Sequence, residues 1–216
     1  MVLMKRFLAS GFGLMILAAF VFSLADVLTK YLTTQLSIIE IAFIRFLLGG
    51  IILWPILSSQ RIALKGTHTR ILILRGLFGT FSFFCLLKSI ALIPLANAIV
   101  LFYTFPLFVA LFSFLLFRTP IEKGELLLIG VGLLGIYILI NPEFHSFNTG
   151  YIFGILSSVV GGMAMVLIHK ARQTNGPLII YFYFCMVGGS ISLPLFALNF
   201  KIPDLQQWVL LLTVGL

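Results

Sequence analysis

The 216-residue sequence predicts an all-α, polytopic transmembrane helical bundle built from inverted five-helix repeats, the second of them incomplete. Three observations predict it: an apolar excess too large for a soluble domain, basic residues that alternate between successive apolar runs, and a weak internal repeat. Of the residues, 61% are hydrophobic and 9% are charged, with 23 phenylalanines. Soluble domains carry roughly a quarter charged residues. The polar side chains here are too few to cover a core of this size, so the apolar surplus must face lipid. A net charge of +8 would suggest nucleic acid in a soluble protein. Here the basic residues sit between apolar runs, which is a signal of membrane topology, and no nucleic-acid partner is expected. Cys85 and Cys185 both lie inside apolar runs, with neither a disulfide framework nor metal-ligand spacing around them.

A spanning helix needs roughly 20 mainly apolar residues. Seven runs approach or exceed that length, at 8–31, 37–57, 71–92, 95–117, 124–141, 150–169 and 177–198, and an eighth begins near Leu205. Connections are short and rich in Gly, Pro, Asn, Ser and charge. Lys5 and Arg6 precede the first run; Arg61, Lys65 and Arg70 lie between the second and third. Arg118 and Lys123 lie between the fourth and fifth, and Lys170 and Arg172 end the sixth. If every run spans, all of these share one side, and the other side has only Lys30, Lys88 and Lys201 near helix ends. The excess places the N-terminus in the cytoplasm and the chain in the cell membrane. Lys5-Arg6 before an apolar stretch, with Ser23-Leu24-Ala25, also resembles a signal peptide. The run continues past Asp26 to Tyr31, however, which is the length of a span.

Residues 30–55 and 170–194 align weakly: Lys30 with Lys170, Gly49-Gly50 with Gly188-Gly189, and Pro55 with Pro194. The offset is about 139–140 residues with one gap. A unit of five spans is odd, so the second copy enters the membrane from the opposite side, an arrangement common in secondary transporters. The expected domains are a first five-helix repeat at 1–141 and a partial second one at 149–216. On this plan residue 216 matches about residue 77, leaving the second unit short by on the order of 60–65 residues.

Ionisable groups inside a bilayer cost about 2.5–3.5 kcal/mol each on insertion scales, so each invites a functional reading. Asp26 and Lys30 are four apart on one helical face and can neutralise each other, with Lys30 snorkelling outward. Asp26 is the acidic residue well inside an apolar run and therefore the candidate for proton coupling. Arg45 and Arg75 cannot shed their charge and need an anion or a dipole. Asp26, Glu40 or a substrate carboxylate would serve. Arg75 has a competing reading as a topology anchor at the interface, and Glu40 one as a first-turn residue favoured by the helix dipole. Lys88 can snorkel. Tyr103-Thr104-Phe105-Pro106 interrupts the fourth run: Pro106 removes a backbone donor, which bends a helix and frees a carbonyl. The competing reading of Tyr103 and Thr104 is a packing kink.

Other patterns point away from chemistry. Gly130, Gly132 and Gly135 match GxGxxG, but a dinucleotide site needs a preceding strand. Within a spanning helix they read as a site of close helix packing, as do Gly150, Gly154, Ser158 and Gly162. His68, His145 and His169 have no metal-ligand company. No cofactor is expected, and no nucleotide-binding pattern is available to drive transport directly.

Three segments carry a family likeness: SLADVLTKYL, EIAFIRFLLGG and, most of all, RGLFGTFSFFCLLKSIALIPLANAIVLFYTFPLFVALFSFLLF from Arg75 to Phe117. With its Arg-Gly start, Leu-Pro-Leu-Ala-like hairpin and mid-span proline, the chain resembles the EamA-type ten-helix members of the drug/metabolite transporter superfamily. One departure is Thr119-Pro120 where the family often has an acidic residue, with Glu122 and Glu125 further on. The resemblance implies a non-enzymatic secondary transporter that moves an amino-acid-like or nucleoside- or sulfonium-like metabolite by alternating access. It places span four against the central pathway, so the substrate-binding candidates are Asp26, Arg45, Arg75, Tyr103 and Thr104. The implied partners are the small-molecule substrate and the bilayer, with protons and a second copy of the chain as further candidates. A non-transporting remnant or accessory membrane subunit is the alternative, and a membrane-embedded enzyme is less favoured because the loops are poor in catalytic groups.

Overall fold

The computed structural model describes residues 11–60, 64–118, 123–140, 148–199 and 203–215. Lys5, Arg6, Arg61, Thr119, Pro120, Glu122, His145 and Lys201 lie outside the described residues, as does the side chain of Glu125. Every element in them is a helix: α1 Gly11–Leu32, α2 Ile38–Ser59, α3 Thr69–Leu92, α4 Leu95–Phe102, α5 Phe105–Phe117, α6 Lys123–Ile140, α7 Thr149–Arg172, α8 Pro177–Asn199 and α9 Leu205–Gly215. Among the described residues, six segments are long and apolar enough to cross a membrane: α1, α2, α3, α4 with α5, α7 and α8. The chain is thus a multi-pass helical bundle. The run expected at 124–141 forms α6, 18 residues long, which at 1.5 Å per residue reaches about 27 Å.

The helix ends show how the bundle is wired. Ser37 caps α2: its hydroxyl accepts from the Glu40 N–H while the Glu40 carboxylate accepts from the Ser37 N–H. This reciprocal pair satisfies two donors at the helix start, and it accounts for the buried Glu40 locally. At the same end of the bundle, Lys30 Nζ donates to the Ile90 and Ile93 carbonyls at 2.6 and 2.9 Å, tying the end of α1 to the end of α3. Asn148, the cap of α7, reaches Leu92 O there, and Gln207 at the start of α9 reaches Gln35. At the opposite end, Asn175 exchanges two hydrogen bonds with the Thr67 backbone, and Lys170 lies over the Phe117 ring. So α1 finishes where α7 begins, and α2 and α8 likewise run in opposite senses. Lys65, Arg70, Arg118, Lys170 and Arg172 gather at the Asn175 end, whereas Lys30 and Lys88 belong to the Lys30 end.

Packing relies on small residues. Hydrocarbon offers helices no hydrophobic reward for associating, so close backbone approach must supply the contacts. The expected small-residue face on α7 does this. A Cβ on Gly150 would strike Leu92 and Ile93, one on Gly154 would strike Leu101 and Ser89, and one on Gly162 would sit 2.6 Å from Phe108 Cβ and 3.0 Å from its carbonyl carbon. Ser158 is fully buried on the same face. Gly130, Gly132 and Gly135 differ from expectation among the described residues, where a Cβ there meets nothing within 4 Å.

The crossing of α2 with α8 is reciprocal. A Cβ on Gly188 would overlap the Phe46 ring, and a Cβ on Gly49 would overlap Cys185 Sγ. Gly49 and Gly188 are equivalent positions of the internal repeat, and Phe46 and Cys185 stand at the same offset. The exchange recurs one helix over, where Gly76 faces Val187 and Gly215 faces Leu48. There too each glycine and each partner has its counterpart at that offset.

Two measurements of thermal unfolding in detergent test these contacts. Gly162→Ala should destabilise the bundle by about 1–3 kcal/mol, since the obstructing atoms include backbone that cannot rotate away; Gly50→Ala, where a Cβ meets nothing within 4 Å, should be near neutral. Lys30→Met should cost about 1.5–3 kcal/mol through its two charge-assisted hydrogen bonds.

Candidate functional site

A cavity of about 410 Å³ opens between α1, α2, α3, α7 and the break in span four. Four of the five candidate residues meet there: Asp26 from α1, Arg45 from α2, Arg75 from α3 and Tyr103 from the break. The fifth, Thr104, does not. Its hydroxyl donates to the Leu101 carbonyl at 2.7 Å, and it faces a separate cleft shared with Pro106 and Gly132. Span four is broken into α4 and α5 at Tyr103-Thr104, as Pro106 predicts, with Pro106 in the first turn of α5. The backbone turns through Thr104 N–H to Leu101 O at 3.1 Å and Leu107 N–H to Thr104 O at 3.1 Å. Thr104 thus adds a side-chain hydrogen bond to the same Leu101 carbonyl that accepts its backbone N–H at the break. Its neighbour Tyr103 is left with its ring at the cavity edge, lining both spaces.

Arg75 lines the cavity. Its guanidinium stacks on the Phe184 ring with Cζ 4.2 Å from the centroid. Room for the pair comes from Gly79, where a Cβ would lie 3.0 Å from Arg75 Nη1 and 3.1 Å from Phe184. Arg75 Nε and Nη1 are buried and have no hydrogen-bond partner among the described residues. A buried donor left unmade costs about 1–3 kcal/mol, and more when charged. Arg45 sits one helix away with Cζ 5.2 Å from the Phe83 centroid. Asp26 is close enough to Arg45 for the two charges to interact. Lys30, which the spacing on α1 pairs with Asp26, is instead held by the Ile90 and Ile93 carbonyls. The carboxylate is thus left facing the cavity and its arginines.

The remaining wall is aromatic: Phe22, Phe83, Phe102, Phe105 and Phe184 line it with Tyr103. Ser82 adds a hydroxyl, which donates to Ser157 O at 2.7 Å. Two guanidinium groups, one carboxylate and a set of ring faces suit a small organic molecule with a carboxylate and a cationic or aromatic part. Guanidinium forks match carboxylates in geometry, and ring faces attract cations. Phe83, Ser82 and Phe184 are not among the residues the sequence singles out. Phe184 does leave a signal there: it is the repeat counterpart of Arg45, at the Gly49-to-Gly188 offset.

Residues 9–141 match the model of the EamA-like transporter family. The pseudopaline exporter CntI of Pseudomonas aeruginosa strain UCBPP-PA14 is 32% identical over 210 residues, which is 96% of this chain and 74% of the exporter. The S-adenosylmethionine uptake transporter of Rickettsia prowazekii strain Madrid E is 27% identical over 194 residues, 89% of this chain and 66% of that protein. A solved crystal structure shares the fold with a TM-score of 0.66 at 19% identity, covering 88% of this chain and 71% of the other. Taken with the multi-pass bundle and its charged central cavity, these matches establish that the chain belongs to the EamA-like transporter family.

Proposed function

We propose that the chain moves a small carboxylate-bearing metabolite, amino-acid-like or sulfonium-like, across the cytoplasmic membrane by alternating access. The observation that carries this reading is Arg75, a permanent cation in a cavity with two buried donors unmet. An oxygen pair on a ligand supplies what the protein does not. Arg45 adds a second cation, and Asp26 with the aromatic wall receives a positively charged part. Relatives named for export of pseudopaline and uptake of S-adenosylmethionine favour this class of compound, and they differ in direction. The basic Asn175 end then faces the cytoplasm, with the N-terminus on that side. The reciprocal contacts between repeat-equivalent positions support two inverted repeats, 1–141 and 149–216, related by a pseudo-two-fold axis between α2 and α8. Asp26 is the group through which protons would couple. A homodimer is a further part of the proposal.

The test is counterflow in proteoliposomes with labelled S-adenosylmethionine and with a labelled neutral amino acid, at equal protein incorporation. Arg75→Leu should weaken substrate binding by about 2 kcal/mol or more, some 30-fold, because a buried charge-assisted contact is lost. Arg75→Lys should recover only part, since an ammonium cannot reproduce the planar fork. Arg45→Lys and Arg45→Ala should both alter the kinetics of uptake or release; unchanged kinetics in both would remove Arg45 from the site. Flux that is indifferent to Arg75→Leu for every carboxylate-bearing compound tried would sink the proposal.

A further inference from the structure

Span four finishes, at the Asn175 end of the bundle, beside a pair of cations that no described residue neutralises. α5 and α7 pack side by side and run in the same direction: Gly162 lies against Phe108 and Val109, and further along both helices Lys170 Nζ stands 5.3 Å from the centroid of the Phe117 ring. Arg118 follows Phe117 directly and ends α5. Arg118 and Lys170 therefore leave adjacent helix ends, and both are exposed. Among the described residues neither side chain has a hydrogen bond or an ion pair. The contrast with the other end is direct. Lys30, the repeat counterpart of Lys170, is consumed by the Ile90 and Ile93 carbonyls, whereas Lys170 has a ring face, which attracts a cation without accepting its hydrogen bonds.

The cations stand at the end of an apolar strip. α5 has no buried residue, and Leu111, Phe114 and Leu115 are 44, 50 and 61% exposed. Their spacing of i, i+3 and i+4 puts them on one helical face, and Arg118 stands at i+7 of the same face. At 1.5 Å per residue the strip is about 10 Å long. Arg118 itself turns out of the helix in the left-handed region, with φ of 53°. Glycine or asparagine adopts that conformation at most helix ends, and here a cation stands in it. An apolar strip within a span, closed by two cations at the membrane boundary, complements one class of molecule in both parts: an amphiphile with an anionic head.

We infer that the end of α5 and the end of α7 form a binding site for an anionic phospholipid. Its phosphate oxygens lie between Arg118 and Lys170, and an acyl chain runs along Leu111, Phe114 and Leu115. Basic side chains at the membrane surface attract anionic headgroups about fivefold each, and a phosphate accepts from both cations at once. The inference goes beyond the transport reading and does not depend on it. The site has a consequence for span four. α5 starts at the break, where Tyr103 and Phe105 line the central cavity, so a headgroup that ties the far end of α5 to α7 also steadies that wall.

The test is native mass spectrometry of the full chain in detergent, titrated with phosphatidylglycerol or with phosphatidylcholine of the same acyl chains, alongside thermal unfolding in each lipid. One phosphatidylglycerol should bind roughly tenfold more tightly than phosphatidylcholine and raise the unfolding temperature above it. Arg118→Gln and Lys170→Gln should each weaken phosphatidylglycerol binding about fivefold, and together about 25-fold, with unfolding in phosphatidylcholine unchanged. Where the double variant does not fold, the two single variants decide. Arg118→Lys and Lys170→Arg should keep most of the affinity. Lys65→Gln with Arg70→Gln removes the same charge from the same end of the bundle and should leave binding at the parent value, as should Glu122→Gln with Glu125→Gln. Equal affinity for the two lipids, inorganic phosphate binding as tightly as phosphatidylglycerol, or an equal loss in the Lys65 and Arg70 variant would overturn the inference. So would a marked gain in the Glu122 and Glu125 variant, which would mean that carboxylates already occupy the two cations.

Discussion

Helix association in hydrocarbon lacks the force that drives a soluble core together, so the architecture depends on how closely backbones can approach. Here that approach is concentrated at glycines facing bulky side chains: Gly188 under Phe46, Gly49 under Cys185, Gly162 against Phe108 and Gly154 against Leu101. The α2–α8 contact matters most, because these helices also carry Arg45 and Phe184 toward the interior. Displacing Phe46 from Gly188 would also shift Phe184, which packs edge-on against it. Stability and site geometry therefore share the same few atoms.

The electrostatics follow a division of labour between structural and free charge. Lys30 and Glu40 lie near one end of the bundle and are used up locally, on carbonyls and on a helix start. Arg45, Arg75 and Asp26 lie deeper and border open space. Cation–ring contacts hold the two guanidinium groups in place at modest cost, since a ring face attracts a cation without satisfying its hydrogen-bond donors. That combination orders the arginines, and Arg75 Nε and Nη1 keep no hydrogen-bond partner among the described residues. All three charges come from α1 to α3, which also contribute Phe22 and Phe83, whereas α7 contributes Gly161, Ala164, Met165 and Ile168 and α8 contributes Phe184.

Much of this is legible in the sequence because hydropathy and charge alternation act over whole spans at a time. Span limits agree with the helices to within a few residues, and the break at Tyr103-Thr104 follows from Pro106 alone. Asp26, Arg45, Arg75 and Tyr103 can be read from the sequence as a list, but not as a geometry. Pairings argued from spacing on one helix fail: the i, i+4 relation of Asp26 and Lys30 loses to carbonyls on α3 that sequence proximity does not reveal. Thr104 falls away from the cavity because a hydroxyl at a kink answers first to its own backbone. The GxGxxG run on α6 shows that glycine spacing permits close packing without requiring it. Phe184 carries no charge, so only the alignment with Arg45 marks it.

The interrupted fourth span has a consequence for how the protein enters the membrane. Its halves hold 8 and 13 residues, and at 1.5 Å per residue neither spans the roughly 30 Å of hydrocarbon. Each can partition into the bilayer only if the other follows, so the insertion machinery must accept the segment as one unit despite its broken ladder. That segment is also the most apolar of the six candidate spans. The surplus of Phe and Leu around Tyr103-Thr104 offsets the penalty of carrying loosely bonded amides into lipid during biogenesis. An ordinary polar substitution in α5 would then be felt first as failed insertion, before any effect on the finished cavity.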